Sequence, residues 1–273
     1  MNFSFAGKYR RVQMDYVTLG KTSLLVSRTA FGAESLDCKE IEAFGDEADE
    51  KACAIVHQAY EGGMNFFDTS RSKPLCEKRL GAALHGIRHN IILATKTPGQ
   101  SLSEIRRDLD ESLSALESDT VDLFQLENPL IVPRENGPDG IYNGLAALKA
   151  KGVVRHIGLA TENLDIAREA VLSGLYEVVQ FPFSMISAEA AASVVKLCRE
   201  REVGCIASQP LNGGVVSNIP LAFGFLHQFE NVVPVWGTHT QEELQQILFF
   251  NSHPPVIDEQ FKAEVKKIRD FFN

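Results

Sequence analysis

Six polar residues each follow a short apolar run, and three of them carry a charged group that can take part in proton transfer. The six are Asp68, Lys96, Glu127, Thr161, Gln180 and Ser208. A charged residue that ends an apolar strand is rarely there for packing, because burial of an unpaired charge costs free energy. For any one of them alone, a solvated ion pair at the rim is the better interpretation. Three charged residues facing one pore instead favour acid–base chemistry.

The apolar runs alternate regularly with longer amphipathic segments. The eight predicted strands are 29–32, 64–68, 91–96, 121–127, 156–161, 178–181, 205–208 and 232–235. They are too apolar to be half exposed, which is typical of parallel strands buried on both faces. Eight such strands with helical segments between them favour a closed (β/α)8 TIM barrel over an open sheet. Because active sites of such barrels lie at the carboxyl ends of the strands, we expect the six polar residues to share one face.

Other segments complete this predicted fold. Residues 16–19 and 24–27, separated by a turn that contains Gly20, predict a β-hairpin. Helical spacing of apolar residues predicts helices over 103–116, 191–201 and 240–249, the last with Thr240 as its N-cap. No composition shift divides the chain, so residues 1–273 are expected to form one domain, with 1–13 as a short leader.

Composition narrows the function classes. The formal net charge of −9 argues against nucleic-acid binding. The cysteines are odd in number, five, and form no C-x-x-C pair, so neither disulfides nor a metal site is indicated and buried free thiols are expected. No apolar run approaches the roughly twenty residues that span a bilayer. We expect a cytoplasmic protein with a small-molecule substrate and no membrane or nucleic-acid partner, while its oligomeric state stays open.

Segments along nearly the whole chain resemble the aldo-keto reductases. The similar segments are 16–32, 62–70, 94–96, 121–126, 178–180, 208–214 and 236–244. The resemblance implies a (β/α)8 barrel whose bottom is closed by an N-terminal hairpin. It also implies NADPH bound in an extended pose across the barrel top, without a Rossmann glycine motif. The family's catalytic set is an aspartate, a tyrosine, a lysine and a histidine, and the tyrosine protonates the carbonyl oxygen as hydride arrives.

Two of the four catalytic positions depart from the family pattern. Asp68 matches the aspartate and Lys96 the lysine, but Lys73 occupies the tyrosine position and Glu127 the histidine position. The tetrad is therefore altered, and Asp68, Lys73, Lys96 and Glu127 are the predicted catalytic residues. A glutamate also replaces the histidine in the related steroid double-bond reductases, so Glu127 points to C=C as well as C=O reduction.

The resemblance also implies a set of cofactor-binding residues. They are Thr161, Gln180, Ser208, Leu211, Asn212, Gly213, Gly237 and His239. His239 stands where the family has a basic residue, and a neutral histidine holds a 2′-phosphate less well than arginine does. NADPH, NADH and no dinucleotide therefore all stay open. Trp236 replaces a family proline, and a packed aromatic at a strand end is favoured over one that stacks on adenine.

Three functions are compatible with the altered tetrad. The first is an NAD(P)-linked oxidoreductase acting on a small carbonyl or enone, favoured because most matching segments line the cofactor trough. The second is a cofactor-independent lyase, aldolase or dehydratase, in which the Lys73 or Lys96 amine, its pKa lowered by the other lysine, forms a Schiff base and Glu127 is the acid/base. The third is a catalytically inert binding barrel. The loops predicted to lie over the barrel opening, 36–45 and 129–140, contain no motif that identifies the substrate.

Overall fold

The computed structural model describes residues 14–272, so the predicted leader, 1–13, lies outside the described residues. The strands are β1 (Tyr16–Thr18), β2 (Leu25–Ser27), β3 (Ala30–Gly32), β4 (Phe66–Asp68), β5 (Ile92–Thr97), β6 (Val121–Glu127), β7 (Val154–Ala160), β8 (Val178–Pro182), β9 (Gly204–Ser208) and β10 (Val232–Gly237). The helices are α1 (Lys39–Glu42), α2 (Ala48–Glu61), α3 (Pro74–Leu84), α4 (Leu102–Ala115), α5 (Ile141–Ala150), α6 (Leu164–Ser173), α7 (Ala188–Glu200), α8 (Ile219–His227), α9 (Gln241–Ser252) and α10 (Glu259–Phe272).

Strands β3 to β10 form a closed parallel barrel. Each strand pairs with the next along the chain, and the pairing of β10 with β3, which sets Val235 opposite Ala30, closes the ring. The predicted (β/α)8 barrel is therefore confirmed, and all eight predicted strands lie within two residues of their observed bounds. The predicted helices in α4, α7 and α9 are confirmed to within three residues, including Thr240 as the N-cap of α9.

The β1–β2 hairpin closes the amino-terminal end of the barrel. Its turn is held by a hydrogen bond from the Lys21 backbone N–H to the Glu202 carbonyl oxygen, 2.9 Å long. Gly20 has a φ of +55°, and a Cβ on it would lie 2.3 Å from the Gly204 nitrogen, so only glycine fits this close approach. Leu19 and Leu24 of the hairpin are buried in a small apolar cluster with inward-facing residues of the barrel strands. The predicted hairpin is thus confirmed, and the site must be entered from the opposite end.

Strand alternation explains why the polar residues meet. Side chains of a strand point alternately inward and outward, so residues two apart share a face. Phe66, Ala94 and Leu123 fill the lower interior with the hairpin residues. Two residues further along the same strands come Asp68, Lys96 and Gln125, which therefore form the next layer toward the open end. The intervening residues, such as Phe67 and Phe124, face outward into the larger core beneath the helices.

The remaining structural expectations concern cysteines and membrane spans. All five cysteines are free thiols; Cys76, Cys198 and Cys205 are buried, whereas Cys38 and Cys53 are half-buried. None of the helices within residues 14–272 combines the length and apolarity that a membrane span requires.

Candidate active site

A buried ion pair lies at the centre of the barrel mouth. The Lys96 Nζ lies 2.9 Å from the Asp68 Oδ2, and both side chains are almost fully buried. The same ammonium donates to Glu34 Oε1 at 2.7 Å and to the Thr69 carbonyl oxygen at 2.6 Å. An ammonium has three N–H groups, so Asp68, Glu34 and Thr69 together occupy all of them.

The carboxylates keep this lysine charged. Burial alone would lower the pKa of Lys96, but the charges and hydrogen bonds of Asp68 and Glu34 outweigh it and raise that pKa above its ordinary value. Burial raises the pKa of Asp68, and the Lys96 ammonium opposes that rise. Lys96 is therefore an ammonium throughout the physiological pH range.

Two glutamines, on β6 and β8, support Asp68 from across the barrel interior. Gln180 Nε2 donates to Asp68 Oδ2 at 3.2 Å, and Gln125 Nε2 donates to Gln180 Oε1 at 2.8 Å and approaches Asp68 Oδ1 at 3.5 Å. All three side chains are buried. Gln180, predicted to contact the cofactor, fixes the aspartate, and it also lies on the cavity wall.

Glu127, at the histidine position, is held by two serines. Its Oε2 accepts hydrogen bonds from the Ser70 hydroxyl at 2.8 Å and from the Ser72 hydroxyl at 2.5 Å. Both serines lie in the segment that links β4 to α3. The glutamate lines the same cavity as Asp68 and Lys96, so the structure brings these three predicted catalytic residues together.

Lys73, at the tyrosine position, lies outside this group. It immediately precedes α3, its Nζ lies 3.1 Å from the Asp37 Oδ2, and its side chain is 44% exposed. It does not line the central cavity. The hydrogen bond and charge of Asp37 raise the pKa of Lys73. The expectation that one lysine lowers the pKa of the other is wrong, because each ammonium has its own carboxylate partner.

Two adjoining cavities open at the carboxyl ends of the strands. The first, about 230 Å³, is lined by Asp68, Lys96 and Glu127 and, among the predicted cofactor residues, by Thr161, Gln180, Ser208 and Gly237. The second, about 330 Å³, is lined by Leu211, Gly213, Gly237 and His239 among others. Gln209, Val235 and Gly237 line both, so the two form one continuous trough. Asn212 lies beside the trough, where its Oδ1 accepts from the Ser184 hydroxyl at 3.4 Å.

The trough suits parts of an extended dinucleotide. Gly213 and Gly214 have positive φ values, and a Cβ on either would meet nothing within 4 Å, so their backbone is open to a diphosphate. His239 is half exposed at the far end, but its Nδ1 lies 3.4 Å from the Glu243 Oε2. A carboxylate at this point suits a ribose hydroxyl better than a 2′-phosphate. Trp236 is fully buried and stacks on Phe223 at 6.0 Å, so it packs against α8, as its place at a strand end favours.

Sequence reasoning missed several residues of this site. Glu34 lies two residues beyond the end of β3, so it is not one of the polar residues that directly follow an apolar run. Gln125 lies two residues before Glu127 and therefore on the same inward face. At the rim, Gln209 Nε2 donates to Glu162 Oε1 at 3.1 Å and so links the loops that follow β9 and β7. The first cavity is thus lined by four carboxylates and one ammonium: Glu34, Asp68, Glu127, Glu162 and Lys96.

Comparisons with known proteins identify the family of this chain. The profile of the family described as "Aldo/keto reductase family" matches residues 30–222. The chain is 30% identical over 214 residues to L-galactose dehydrogenase of Arabidopsis thaliana, covering 73% of this chain and 66% of that protein. It is 26% identical over 217 residues to the uncharacterized oxidoreductase YqkF of Bacillus subtilis, with coverages of 74% and 67%. The chain thus spans about two thirds of the length of these relatives.

A solved structure shows the same fold. The holo form of the aldo-keto reductase AKR11C1 from Bacillus halodurans superposes with a TM-score of 0.76 over 94% of this chain and 96% of that one. Sequence identity in that alignment is 20%, so the likeness concerns the barrel and not the chemistry.

Proposed function

The chain belongs to the aldo/keto reductase family, and from that premise we propose that it is an NAD(P)-linked oxidoreductase acting on a small carbonyl or enone. Family members use NAD(P)H. The observation that carries the proposal is the trough, which begins at the buried Asp68–Lys96 pair and continues past Gly237 to the glycines of the 209–214 loop. One continuous channel thus joins a charged reaction centre to a backbone suited to a diphosphate.

Each part of the trough has a distinct task under this proposal. Thr161 and Gln180 bind the carboxamide end of the cofactor, and the 211–213 segment binds its diphosphate. The bound cofactor supplies the hydride. Lys96 provides a fixed positive charge beside the reacting oxygen, which stabilises negative charge as it develops there. Glu127, oriented by two serine hydroxyls, presents its second oxygen to the substrate.

The far end of the trough favours NADH over NADPH. His239 is already paired with Glu243, and a carboxylate repels a 2′-phosphate while it accepts a hydrogen bond from a ribose hydroxyl. NADH therefore binds at least as tightly as NADPH.

The substrate is uncharged or cationic. Four carboxylates and one ammonium leave three formal negative charges around the first cavity, which repel carboxylate and phosphate substrates. The relative from Arabidopsis thaliana is named for L-galactose, a neutral polyhydroxyl compound. Neutral sugars and hydroxyaldehydes are therefore the first compounds to test.

One observation favours the inert binding barrel as the second candidate. Lys96 has no N–H left for a substrate oxygen while Glu34 stays in place, and the tyrosine is replaced. The Schiff-base enzyme is disfavoured, because the pKa values of both Lys73 and Lys96 are raised and a nucleophilic amine must lose its proton.

Calorimetric titration with NADH and NADPH tests the proposal. A Gly213→Val variant should bind either nucleotide at least about tenfold more weakly, because a β-branched residue is strained at positive φ and covers the open backbone. Gly86→Val is the matched control, since Gly86 also has a positive φ and open surroundings but lies between α3 and β5, away from the trough. Absence of binding by the wild-type chain would refute the oxidoreductase and leave the binding barrel.

A further inference from the structure

We propose that Glu34 is the proton acceptor of this site in the oxidation of hydroxyl compounds, the reverse of the carbonyl reduction proposed above. This inference rests on the proposed function, since the oxidised nicotinamide cofactor takes up the hydride. The proton transfer that the family's tyrosine performs is thereby assigned to a residue that follows β3. It is not assigned to Lys73, which occupies the tyrosine position.

The position of Glu34 carries the inference. Its Oε1 accepts from the Lys96 ammonium at 2.7 Å, and its side chain is 41% exposed and lines the first cavity. Among residues 14–272, no hydrogen-bond donor is found at its other oxygen, Oε2. Glu34 therefore touches the buried cation with one oxygen and presents the other to the cavity, where a substrate hydroxyl can donate to it.

The backbone that carries Glu34 is fixed on both sides. The Ser35 hydroxyl donates to the Gly32 carbonyl oxygen at 3.0 Å and accepts from the Thr238 backbone N–H at 3.1 Å, which ties the turn to β10. The buried Cys76 thiol lies 3.6 Å from the Glu34 carbonyl oxygen. Burial raises the pKa of Cys76 to about 12, so this neighbour stays neutral and does not compete for protons. A base held in place in this way meets the positional demand of proton transfer.

The other carboxylates of the cavity are less suited to this step. Asp68 is buried, and its oxygens are engaged by Lys96, Gln125 and Gln180. Glu127 is directed by its serines and does not contact Lys96. Of the two carboxylates that contact Lys96, Asp68 is buried, whereas Glu34 is 41% exposed to the cavity and keeps one oxygen without a donor.

The step balances in the direction of oxidation. The O–H bond of the substrate breaks and its proton passes to Glu34 Oε2, while the C–H hydride passes to the oxidised cofactor. The products are a carbonyl compound, the reduced cofactor and a protonated Glu34, which returns its proton to water through its exposed face. The acidic cavity favours the cationic ring of the oxidised cofactor over the neutral reduced ring.

Several charged and titratable groups surround Glu34, and Glu127 and Glu162 line the same cavity. Lys96 and Asp68 lie beneath it, and the Lys73–Asp37 pair and the Cys76 thiol lie on its outer side. Lys96, Lys73 and Cys76 have raised pKa values and keep their protons below about pH 9.

The test compares Glu34→Gln with Glu40→Gln, a control that removes the same charge from the neighbouring α1 without touching the cavity. The first readout is calorimetric and needs no turnover: the ratio of the Kd values for NAD⁺ and NADH. We expect wild type and Glu40→Gln to share a ratio that favours NAD⁺, and Glu34→Gln to weaken NAD⁺ about three- to tenfold while NADH is unchanged.

The second readout is the rate of alcohol oxidation between pH 6 and 9 over a panel of neutral alcohol–carbonyl pairs that includes L-galactose. Glu34→Gln should lower the oxidation kcat at least about 100-fold, whereas Glu40→Gln keeps it. An unchanged NAD⁺/NADH ratio in Glu34→Gln, or a wild-type chain that reduces the carbonyls and oxidises none of the alcohols, would overturn the role of Glu34. Binding of neither nucleotide would instead refute the oxidoreductase itself.

Discussion

Replacement of Lys96 by methionine tests whether the charged centre holds the barrel together. Lys96 is 3% exposed and is the cationic partner of Asp68, which is equally buried. Removing one partner of a buried ion pair typically costs about 3–5 kcal/mol, because the other charge is left uncompensated. At about 2–4 °C per kcal/mol for a protein of this size, we expect the Tm to fall by about 6–20 °C.

The pH dependence separates this cause from lost packing. Burial already raises the pKa of Asp68, and loss of the ammonium raises it further. A carboxyl whose folded pKa lies above its unfolded value of about 3.9 gives stability below that value and loses it as pH rises through the folded pKa. The deficit of Lys96→Met should therefore be largest at pH 7–8 and shrink toward pH 4. A deficit caused by methionine packing would be the same at both pH values.

The assay is chemical unfolding followed through the fluorescence of Trp236, which is fully buried and should shift on exposure. The control is the double variant Asp68→Asn/Lys96→Met, which removes both charges and should be more stable than Lys96→Met alone. The reasoning would be refuted if Lys96→Met cost less than about 1 kcal/mol, or if the double variant were as unstable as the sum of the two single ones.

Three further predictions concern the cofactor end, an ion pair and helix packing. His239→Arg should lower the Kd for NADPH at least about tenfold in calorimetry and change the Kd for NADH little, because a guanidinium binds the 2′-phosphate. Equal gains in affinity for both nucleotides would contradict this. Burial alone would raise the pKa of Glu177, but hydrogen bonds from neighbours such as His156 lower it to about 2. Glu177→Gln should therefore cost on the order of 1–2 kcal/mol of unfolding free energy at pH 7 after solvent screening, and this loss should fade as pH falls from 4.5 toward 2. A cost that does not change with pH would count against the ion pair. A Cβ at Gly81 would lie 2.3 Å from a backbone oxygen, which cannot move away, whereas one at Gly144 would lie 2.1 Å from the methyl group of a flexible leucine side chain. In denaturant unfolding, Gly81→Ala should therefore lose about 1–3 kcal/mol of stability and Gly144→Ala much less. Equal losses would refute this distinction.

The barrel was predictable because its strands carry a strong local pattern. Runs such as 232–235 are apolar on both faces, and only the central strands of a parallel sheet require that. The same strand pattern is sufficient to place Asp68, Lys96 and Glu127 at one end of the barrel, since each lies at or near the end of its strand. These predictions depend on strand geometry, which short stretches of sequence determine.

The parts of the site that escaped prediction depend on side-chain directions outside strands. Lys73 precedes a helix, and the partner it selects, Asp37, lies in a loop whose course no periodicity describes. Glu34 lies in a single 3₁₀ turn, and its contact with Lys96 spans 62 residues of chain. Family resemblance drew attention to the tyrosine position and away from this one. Such contacts are decided by tertiary packing, which sequence spacing alone does not encode.

The pairing of β3 with β10 has a consequence for how the chain is made. Residues 30–32 leave the ribosome roughly two hundred residues before their partners at 235–237, which is about 10–40 s at ordinary synthesis rates. Over that interval β3 presents an open edge, a template for pairing with other chains. Lys96 and Asp68 also stay in contact with water until the last strand arrives. Nascent chains arrested before β10 should therefore be aggregation-prone and depend on chaperones. Once β10 is released, it pairs with the open edge of β3, and closure of the barrel excludes water from Lys96 and Asp68.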